Sequence, residues 1–326
     1  MERHCLGIDI AKESFDVALR GAEQTVSGRF NNDAAGFKKL GRWLKKRKVA
    51  QVHGCMEATG RYWEGLALWL HQEGHQVSVV NPKVIKKYAE SVMQRNKTDG
   101  QDALTLADYC WKQEPDLWEP PAAEYLRLRE MARRLVALKE DRTREMNRLK
   151  AGVDTAEVRR SLQEHIAFLQ QQIDTLTSQI DDHIDQHPGL KADKELLVSI
   201  PGIGDITAAL FLAEVPDIER FSQAKQLAAF AGLTPSEHQS GAQRKPGRLV
   251  KWGRARLRTP FYMPALSAHR SNPIIAALRE RLQARGKAKM TIVAACMRKL
   301  LTLCYGVLKT RTPFDPTFAA RSHHFT

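Results

Sequence analysis

Residues 5–30 read CLGIDIAKESFDVALRGAEQTVSGRF, and this stretch decides the fold of the first part of the chain. Its start, CLGIDI, is a short apolar run, and residues 14–19 alternate between apolar and polar side chains. Residues 21–24 can turn the chain into a third extended run at residues 25–30. Because short apolar or alternating runs bounded by turn residues are typical of β-strands, we expect three strands here.

Helical and strand patterns then alternate up to residue 112. We predict helices over residues 33–46, 61–72, 83–92 and 99–112, and strands over residues 51–56 and 75–80. Together with the first three strands, this order predicts an α/β fold, a mixed sheet with helices packed on it. Three prolines within residues 114–121 (EPDLWEPP) then indicate a boundary or linker.

The middle of the chain has a helical spacing of apolar residues. They recur in steps of 4-3-4-3-4-4, a near-heptad seam formed by Leu162, Ile166, Leu169, Ile173, Leu176, Ile180 and Ile184. A similar spacing occurs upstream at Leu128, Met131, Leu135 and Leu138. Two long helices packed as an antiparallel hairpin explain this pattern, and so do a coiled coil between subunits or a helical spacer within one subunit. The remainder is predicted to be mostly helical, over residues 194–199, 206–213, 224–230, 249–268, 273–284 and 290–308.

The charge balance points to a polyanionic partner. Lys and Arg number 51 against 37 Asp and Glu, which gives a net charge of +14 and a pI near 9.7. This excess of cations favours nucleic acid over a membrane surface. We expect no membrane-spanning helix, because no apolar run approaches the roughly 18–20 residues that one needs. The first residues lack the pattern of a signal peptide. The five cysteines are scattered and never spaced C-x-x-C, so we expect reduced core thiols in a cytoplasmic protein rather than a zinc site.

Four acidic residues of the first part need a chemical explanation. Asp9 lies inside the first apolar run, where a bare carboxylate is costly unless it is paired or binds a cation. Glu57 ends a predicted strand, and Asp99 and Asp102 begin a helix on one of its faces. Converging carboxylates suit Mg2+, and two bridged metals can position the attacking and leaving oxygens of a phosphodiester. Helix-capping and turn roles explain all of these residues except Asp9 without a metal.

Two stretches of the last part are suited to phosphate binding. Residues 199–204 (SIPGIG) join two predicted helices, and the backbone N–H groups around Gly202 and Gly204 can hold a phosphate, as in helix-hairpin-helix modules. A tight helix–helix turn is the alternative. Residues 244–258 contain seven cations and no acid, namely Arg244, Lys245, Arg248, Lys251, Arg254, Arg256 and Arg258. This run predicts contacts with nucleic-acid phosphates, and a solvated basic face is the alternative.

Ser240 lies in the polar loop of residues 236–247, beside the basic run. A serine next to glycine is usually only a turn residue. A serine next to arginines, however, can attack a phosphodiester while the arginines stabilise the charge that develops. The pattern leaves open which of Arg244, Lys245 and Arg248 would assist Ser240.

Taken in order, these motifs resemble one family nearly from end to end. The motifs are Gly7-Ile8-Asp9, Glu57-Ala58-Thr59-Gly60, Asn96-Lys97-Thr98-Asp99 with Asp102-Ala103, Ile200-Pro201-Gly202-Ile203-Gly204, Phe230-Ala231-Gly232-Leu233-Thr234-Pro235, Ser240-Gly241, Tyr262-Met263-Pro264-Ala265 and Met297-Arg298-Lys299-Leu300. The chain resembles the DEDD-type transposases of bacterial insertion sequences, the insertion-sequence-110 group, which are bridge-RNA-guided recombinases.

The resemblance implies a domain organisation and a set of site residues. It implies a RuvC-like (RNase H fold) domain over residues 1–118, a coiled-coil helical region over 119–190 and a mostly α-helical C-terminal transposase domain over 191–326. Asp9, Glu57, Asp99 and Asp102 match the metal-binding DEDD set, with Mg2+ or Mn2+ as the cofactor. Ser240 falls at the position of the catalytic serine.

The resemblance also implies partners and a mechanism. A structured bridge RNA pairs with donor and target double-stranded DNA, and dimers or tetramers of the protein assemble on the DNA. A composite site cuts one strand of each duplex, and the serine becomes covalently joined to DNA. Guide pairing would carry the sequence specificity, so the protein need read only backbone and shape.

Two other functions fit part of the sequence. A metal-dependent RuvC-type Holliday-junction nuclease would use the four acids without a serine intermediate, and would leave the C-terminal half only a binding role. A nucleic-acid-binding scaffold would use the basic C-terminal half alone, and would leave Asp9 unexplained.

Overall fold

The computed structural model describes residues 3–58, 60–92, 99–235, 238–240, 243–245, 249–250 and 252–317, with backbone alone at 99–100, 238–240, 243–245 and 250. The chain divides into two compact units, Met1–Pro120 and Pro121–Thr326.

The N-terminal unit is a five-stranded mixed sheet with helices on both faces. Its elements are β1 (Cys5–Ile10), β2 (Ser14–Arg20), β3 (Thr25–Asn31), α1 (Ala34–Lys46), β4 (His53–Glu57), α2 (Trp63–Gln72), β5 (Gln76–Val80), α3 (Pro82–Ser91) and α4 (Asp99–Gln113). The strand order is β3-β2-β1-β4-β5. β1, β2 and β3 pair antiparallel, whereas β4 and β5 run parallel to β1. The predicted mixed α/β sheet is confirmed.

The two faces of the sheet bury different side chains, as strand alternation requires. Leu6 and Ile8 of β1 lie in one core cluster with Leu40 of α1 and Leu66 of α2. On the other face, α4 packs against β1, β2 and β4, with Cys110 in a cluster with cysteines of β1 and β4.

The proline-rich segment after α4 folds back onto the sheet. The Trp118 backbone N–H donates to the Val77 carbonyl oxygen at 2.7 Å. Its indole packs edge-on to Trp63, with ring centroids 5.6 Å apart. The segment therefore packs on this unit up to Trp118, and the predicted boundary lies at its end, between Pro120 and Pro121.

The C-terminal unit is mostly helical. Its elements are α5 (Ala123–Lys150), α6 (Ala156–Asp185), α7 (Pro188–Val198), α8 (Asp205–Glu214), α9 (Ala224–Phe230), β6 (Thr234–Pro235), β7 (His238–Ser240), β8 (Gln243–Lys245), β9 (Leu249–Val250), α10 (Ala255–Arg258), α11 (Tyr262–Ser267), α12 (Pro273–Ala284) and α13 (Lys289–Thr310). Short 3-10 turns at Thr259–Phe261 and Ala268–Arg270 flank α11.

Helices α5 and α6 form an antiparallel hairpin within the chain. The His183 ring, near the end of α6, lies 2.9 Å from the Glu124 carbonyl oxygen at the start of α5. At the other end, His165 lies 3.7 Å from Glu145. The predicted seam is buried at Leu169, Ile173, Ile180 and Ile184 and only partly buried at Leu162, Ile166 and Leu176.

The predicted single helix over residues 249–268 is wrong. The structure has β9, α10, a 3-10 turn and α11 in that stretch. Pro260 lies in the 3-10 turn and lacks the backbone N–H of an α-helical ladder, although Thr259 before it keeps helical dihedrals (φ −57°, ψ −43°). Pro264 lies within α11 and does not interrupt it.

Contrary to the expectation from the sequence, helix α13 is long and apolar enough to cross a membrane by length and composition. Its buried residues, among them Leu300, Leu301 and Cys304, lie in the hydrophobic core of the C-terminal unit, as expected of a core helix. All five cysteines are buried thiols, as predicted.

Candidate active site

Asp9 and Glu57 occupy neighbouring positions at one edge of the sheet. The parallel strands β1 and β4 pair Ile8 with Met56, so Asp9 and Glu57 take the next position on each strand. Neighbouring strands lie about 4.8 Å apart, and side chains alternate between faces. Both carboxylates therefore project to the face that also holds Cys55, which is the face covered by α4.

Contacts near the end of α4 fix its direction across the sheet. Asp108 forms an ion pair with Arg20, and the backbone of Arg20 pairs with Cys5 at the start of β1. The Arg3 guanidinium, just before β1, donates to the Cys110 carbonyl oxygen at 3.2 Å. The last turns of α4 thus lie over the beginning of β1.

Gly7 permits the close approach of α4 to β1. A Cβ at Gly7 would overlap the Ala103 carbonyl oxygen and the Ala107 amide nitrogen. Because the later turns of α4 cover the start of β1, the helix runs antiparallel to that strand. Its first turn, with Asp99 and Asp102, lies toward the edge where β1 and β4 end.

The donor set fits a hard divalent cation. Asp9, Glu57 and Asp102 are partly exposed, and carboxylate oxygens are the ligands that Mg2+ prefers. Among the side chains that the structure describes, no three of His, Cys, Asp or Glu converge closely enough to hold a metal ion. The Asp99 side chain, like residues Thr59 and 96–98 of the predicted motifs, lies outside the described part.

Another carboxylate, Asp16, lies beside Asp9. The two residues are partners in the β1–β2 register. Nε of Arg29 on β3 lies 3.9 Å from the Asp16 carboxylate and partly balances its charge. Asp16 does not stand out in the sequence, because residues 14–19 show only strand alternation. The signal was available, since Asp9 and Asp16 are equally distant from the turn that joins β1 to β2.

Ser240 ends the first strand of a short β-hairpin. In the β7–β8 register Ser240 pairs with Gln243, Gln239 with Arg244, and His238 with Lys245. The first two cations of the basic run therefore lie on the strand beside Ser240. Gly241 falls outside the described residues.

The remaining cations of the basic run lie in different environments. Arg256 is exposed, whereas Arg248 and Lys251 lie outside the described residues. Arg258 donates to the Ala231 carbonyl oxygen at 2.9 Å. This bond supports the close approach of Gly232 to Gly253, where no Cβ fits.

A buried carboxylate holds Arg254. Glu214 is only 5% exposed at the end of α8. Its two oxygens accept from Arg133 at 3.3 Å and from Arg254 at 3.4 Å. The Arg254 guanidinium also lies over the Phe230 ring, 4.8 Å from its centroid. Glu214 and Phe230 therefore hold the Arg254 guanidinium, which belongs to the predicted phosphate-binding run, in one orientation.

One carboxylate and three other guanidinium groups affect the charge of Arg254. Partial desolvation lowers the pKa of the Arg254 guanidinium, whose side chain is still 41% exposed, and Glu214 raises it. Three further guanidinium groups lower that pKa again, those of Arg220, Arg129 and Arg133. These three arginines do not stand out in the sequence, because they lie far from the basic run in the chain. The sequence does contain one indication of this cluster, because Glu214 is a carboxylate at the end of the apolar segment of α8 and needs cationic partners.

The turn between α7 and α8 is packed from one side. Gly202 has a φ of +100°, and a Cβ there would lie 2.6 Å from the Ala268 Cβ. Gly204 faces open space. The next residue, Asp205, forms a 3.0 Å ion pair with Lys194, which lowers the pKa of Asp205. A carboxylate thus already stands at the N-terminus of α8, where a phosphate would bind.

Comparison with known proteins assigns the chain to a family. Residues 6–157 match a family described as "Transposase", the DEDD transposases of IS110, and residues 194–280 match "Transposase IS116/IS110/IS902 family". The chain is 35% identical over 319 residues to the pilin gene-inverting protein of Moraxella bovis, covering 97% of this chain and 98% of the relative. The chain belongs to the IS110 family of transposases.

Other relatives agree with this assignment. The pilin gene-inverting protein of Moraxella lacunata gives the same identity and coverage. A transposase for insertion sequence element IS1111A from Coxiella burnetii is 24% identical over 295 residues, covering 78% of this chain and 74% of the relative. The family resemblance drawn from the motifs is confirmed. An IS110-family transposase is an enzyme of DNA strand transfer, so the scaffold without catalytic activity is excluded.

Proposed function

We propose that this IS110-family transposase cuts and rejoins donor and target DNA strands with two chemical groups. One is a DEDD metal site on a RuvC-like N-terminal domain, formed by Asp9, Glu57, Asp99 and Asp102. The other is a serine nucleophile, Ser240. The observation that carries the proposal is the antiparallel path of α4 over Gly7, which directs the first turn of the helix toward the edge that holds Asp9 and Glu57.

The four carboxylates would hold Mg2+ or Mn2+. When bound, the cation supplies Lewis-acid stabilisation of the negative charge on a reacting phosphate. The protein contributes a rigid carrier, because Asp9 and Glu57 are fixed by strand pairing and Asp102 by a packed helix. Binding of a cation by these carboxylates explains why a protein of net charge +14 places acids together at one sheet edge.

Ser240 would form the covalent link. Its hydroxyl oxygen bonds to the phosphorus, the bond from phosphorus to one bridging sugar oxygen breaks, and the serine proton passes to solvent while the leaving oxygen takes one up. The phosphodiester energy is conserved, so rejoining needs no nucleotide cofactor. Arg244 and Lys245 are the cations that the β7–β8 register brings beside the serine, and they would stabilise the charge on the phosphate.

Guidance by a bridge RNA and assembly as a dimer to tetramer on DNA belong to the same proposal. So does the division into residues 1–118, 119–190 and 191–326. The positive surface, including the basic run 244–258, supports backbone binding without sequence reading. The Moraxella relatives are named for inverting a gene. The same strand exchange inverts a segment when the two sites lie in opposite orientation on one DNA molecule.

One experiment tests both chemical groups. Full-length protein is expressed with its flanking DNA, incubated with end-labelled donor and target duplexes and Mg2+, and resolved under denaturing conditions. We expect Asp9→Asn to lower strand exchange at least about a thousandfold, because the charge that would bind the metal is lost. We expect Ser240→Ala to abolish both exchange and the labelled protein–DNA adduct.

The controls are acids and serines outside the site. Glu23→Gln removes an exposed carboxylate of the same unit, and Ser267→Ala removes an exposed hydroxyl that bonds only to helix carbonyl oxygens. Both should retain exchange. Cleavage that persists in the Ser240→Ala protein with free ends and no adduct would favour the junction nuclease instead. Sequencing the RNA that co-purifies tests the guide, and a smear of cellular RNA would contradict it.

A further inference from the structure

Helix α1 carries a stripe of cations on its outer face, in the N-terminal unit. At 100° per residue, five side chains fall within an arc of about 120°, and all five are exposed: Lys38, Lys39, Arg42, Lys45 and Lys46. We call this set the α1 stripe. It lies far in the chain from the basic run of residues 244–258.

The opposite face of α1 is fixed in the core. Leu40 and Leu44 are 0% and 1% exposed, and Phe37 and Trp43 pack against the same cluster. A helix whose apolar face is already buried has none to insert into a lipid bilayer. The stripe is therefore a rigid charged surface rather than a membrane anchor.

The sequence around the stripe contains no acidic residue. Between residues 34 and 56 the sequence has seven Lys and Arg and no Asp or Glu. Within the part of the chain that the structure describes, no ion pair involves any of the five cations. Arg47, just after the helix, differs because its guanidinium lies 3.8 Å from the centroid of the Trp43 ring.

Helix stability does not explain the arrangement. The macrodipole favours cations in the last turn, at Lys45 and Lys46, but gives no reason for Lys38 and Arg42 further from that end. Like charges three or four residues apart destabilise a helix. An external polyanion would relieve this repulsion.

The start of α1 lies at the same sheet edge as the candidate metal site. The Asn32 side chain, just before the helix, donates to the Ala11 carbonyl oxygen at 3.0 Å and to the Tyr62 carbonyl oxygen at 3.1 Å. Ala11 follows β1, and Tyr62 lies in the connection after β4, so both mark the edge where Asp9 and Glu57 stand. The α1 stripe leads away from that edge.

We propose that the α1 stripe binds the phosphate backbone of the DNA substrate where the duplex passes over the sheet edge that holds the carboxylates of the N-terminal unit. DNA is the occupant that the position favours, because α1 begins at the edge where β1 and β4 end, on the face of the sheet opposite to the carboxylates, so that a duplex crossing this edge can contact both. The inference rests on the proposed function for the identity of the substrate. Its cations repeat about every 6 Å along the helix axis, a row that a strand of phosphates can follow.

The test compares two triple variants of the full-length protein. Lys38→Gln/Arg42→Gln/Lys45→Gln removes the centre of the stripe, and glutamine keeps a similar helix propensity. The control, Lys87→Gln/Arg144→Gln/Arg148→Gln, removes the same charge from exposed cations that pair with Glu90, Asp141 and Glu145. Binding to a fluorescent DNA duplex is measured by anisotropy over a range of salt concentrations, and folding by circular dichroism.

We expect the stripe variant to bind DNA about tenfold or more weakly at ~0.15 M salt, and its log–log salt slope to fall by about 2 to 3. The control should keep the slope of the unmodified protein. An unchanged slope in the stripe variant, or an equal loss in both variants, overturns the proposal. So does a stripe variant that loses binding to RNA while keeping DNA. Failure of the unmodified protein to bind DNA at all would instead contradict the proposed function.

Discussion

Gly7 is the residue on which the candidate metal site depends, although it carries no reactive group. It lets the backbone of α4 pass directly over β1 at Ala103 and Ala107. Any side chain at this position would push the helix away from the strand. The carboxylates at the start of α4 would then lose their place relative to Asp9.

We predict that Gly7→Ala destabilises the protein by about 3 kcal/mol, because the atoms it meets are backbone atoms that cannot rotate away. Chemical denaturation measures the loss. Gly65→Ala is the matched control, since its Cβ would meet nothing closer than 3.7 Å in a helix where alanine is favoured. A Gly7→Ala protein as stable as the Gly65→Ala protein would contradict the close approach.

The sequence predicts reactive residues better than it predicts the residues that hold them. A carboxylate inside the apolar run of β1 makes Asp9 conspicuous, since burial without a partner is costly. Gly7, two positions earlier, belongs to a motif, but the sequence does not show why a glycine is needed there. The atoms that exclude a Cβ are about a hundred residues away in the chain. Glu214 was missed for the same reason, since its partners Arg133 and Arg254 come from distant elements.

At the scale of elements, β5 and the proline-rich segment are joined through Ser78. Its hydroxyl lies 2.9 Å from the Pro115 carbonyl oxygen and 2.8 Å from that of Asp116. Nε2 of His53 lies 2.7 Å away on the other side. One hydroxyl proton serves the carbonyl oxygens, so His53 must donate to Ser78.

This arrangement makes stability depend on pH. Burial lowers the pKa of His53, with Arg3 adding to the effect, and burial also lowers the pKa of His75. In the unfolded chain both take up a proton near pH 6.5, whereas the folded state does so only at lower pH. The contribution to stability is complete above about pH 6.5 and is lost as the pH falls below it.

We therefore predict that the free energy of unfolding falls between about pH 7 and pH 5, and that His53→Gln reduces this dependence. Glutamine can still donate to Ser78, so stability at pH 7.5 should change little. Urea denaturation at several pH values measures the effect. His165→Gln, at an exposed position, should keep the full dependence, and an unaltered profile in His53→Gln would show that this histidine contributes nothing.

Elements with a strong local pattern follow from the sequence, and those shaped by proline or by distant partners do not. Strands β1 to β5 and the α5–α6 hairpin carry clear alternation or helical spacing. The stretch 249–268 has apolar residues at helical intervals, but the structure has the short strand β9 at its start and a 3-10 turn around Pro260 between α10 and α11. The cations of the α1 stripe are visible in the sequence. Their charge alone does not distinguish them from other basic residues, because the buried face of α1 is known only from the structure.

At the scale of the whole molecule, each compact unit has a hydrophobic core of its own. The core of the N-terminal unit is formed by β1 to β5 with α1, α2 and α4, and that of the C-terminal unit by α5 to α13. The family match covers both units. The sequence indicates two or more domains from length and the proline-rich segment, but it does not show that the segment packs against the sheet before the chain continues.

This leads to a prediction about where the first unit ends. A fragment of residues 1–120 should fold cooperatively, because all five strands and the Trp118 contacts lie within it. A fragment of residues 1–112 should be less stable by about 2–4 kcal/mol. It loses the indole packed on Trp63 and both acceptors of the buried Ser78 hydroxyl.

Denaturation followed by circular dichroism compares the stability of the two fragments. Leu117→Ser, at a 54% exposed position, is the control within residues 1–120. Equal stability of the two fragments would mean that the proline-rich segment is a linker after all, as its composition alone suggests.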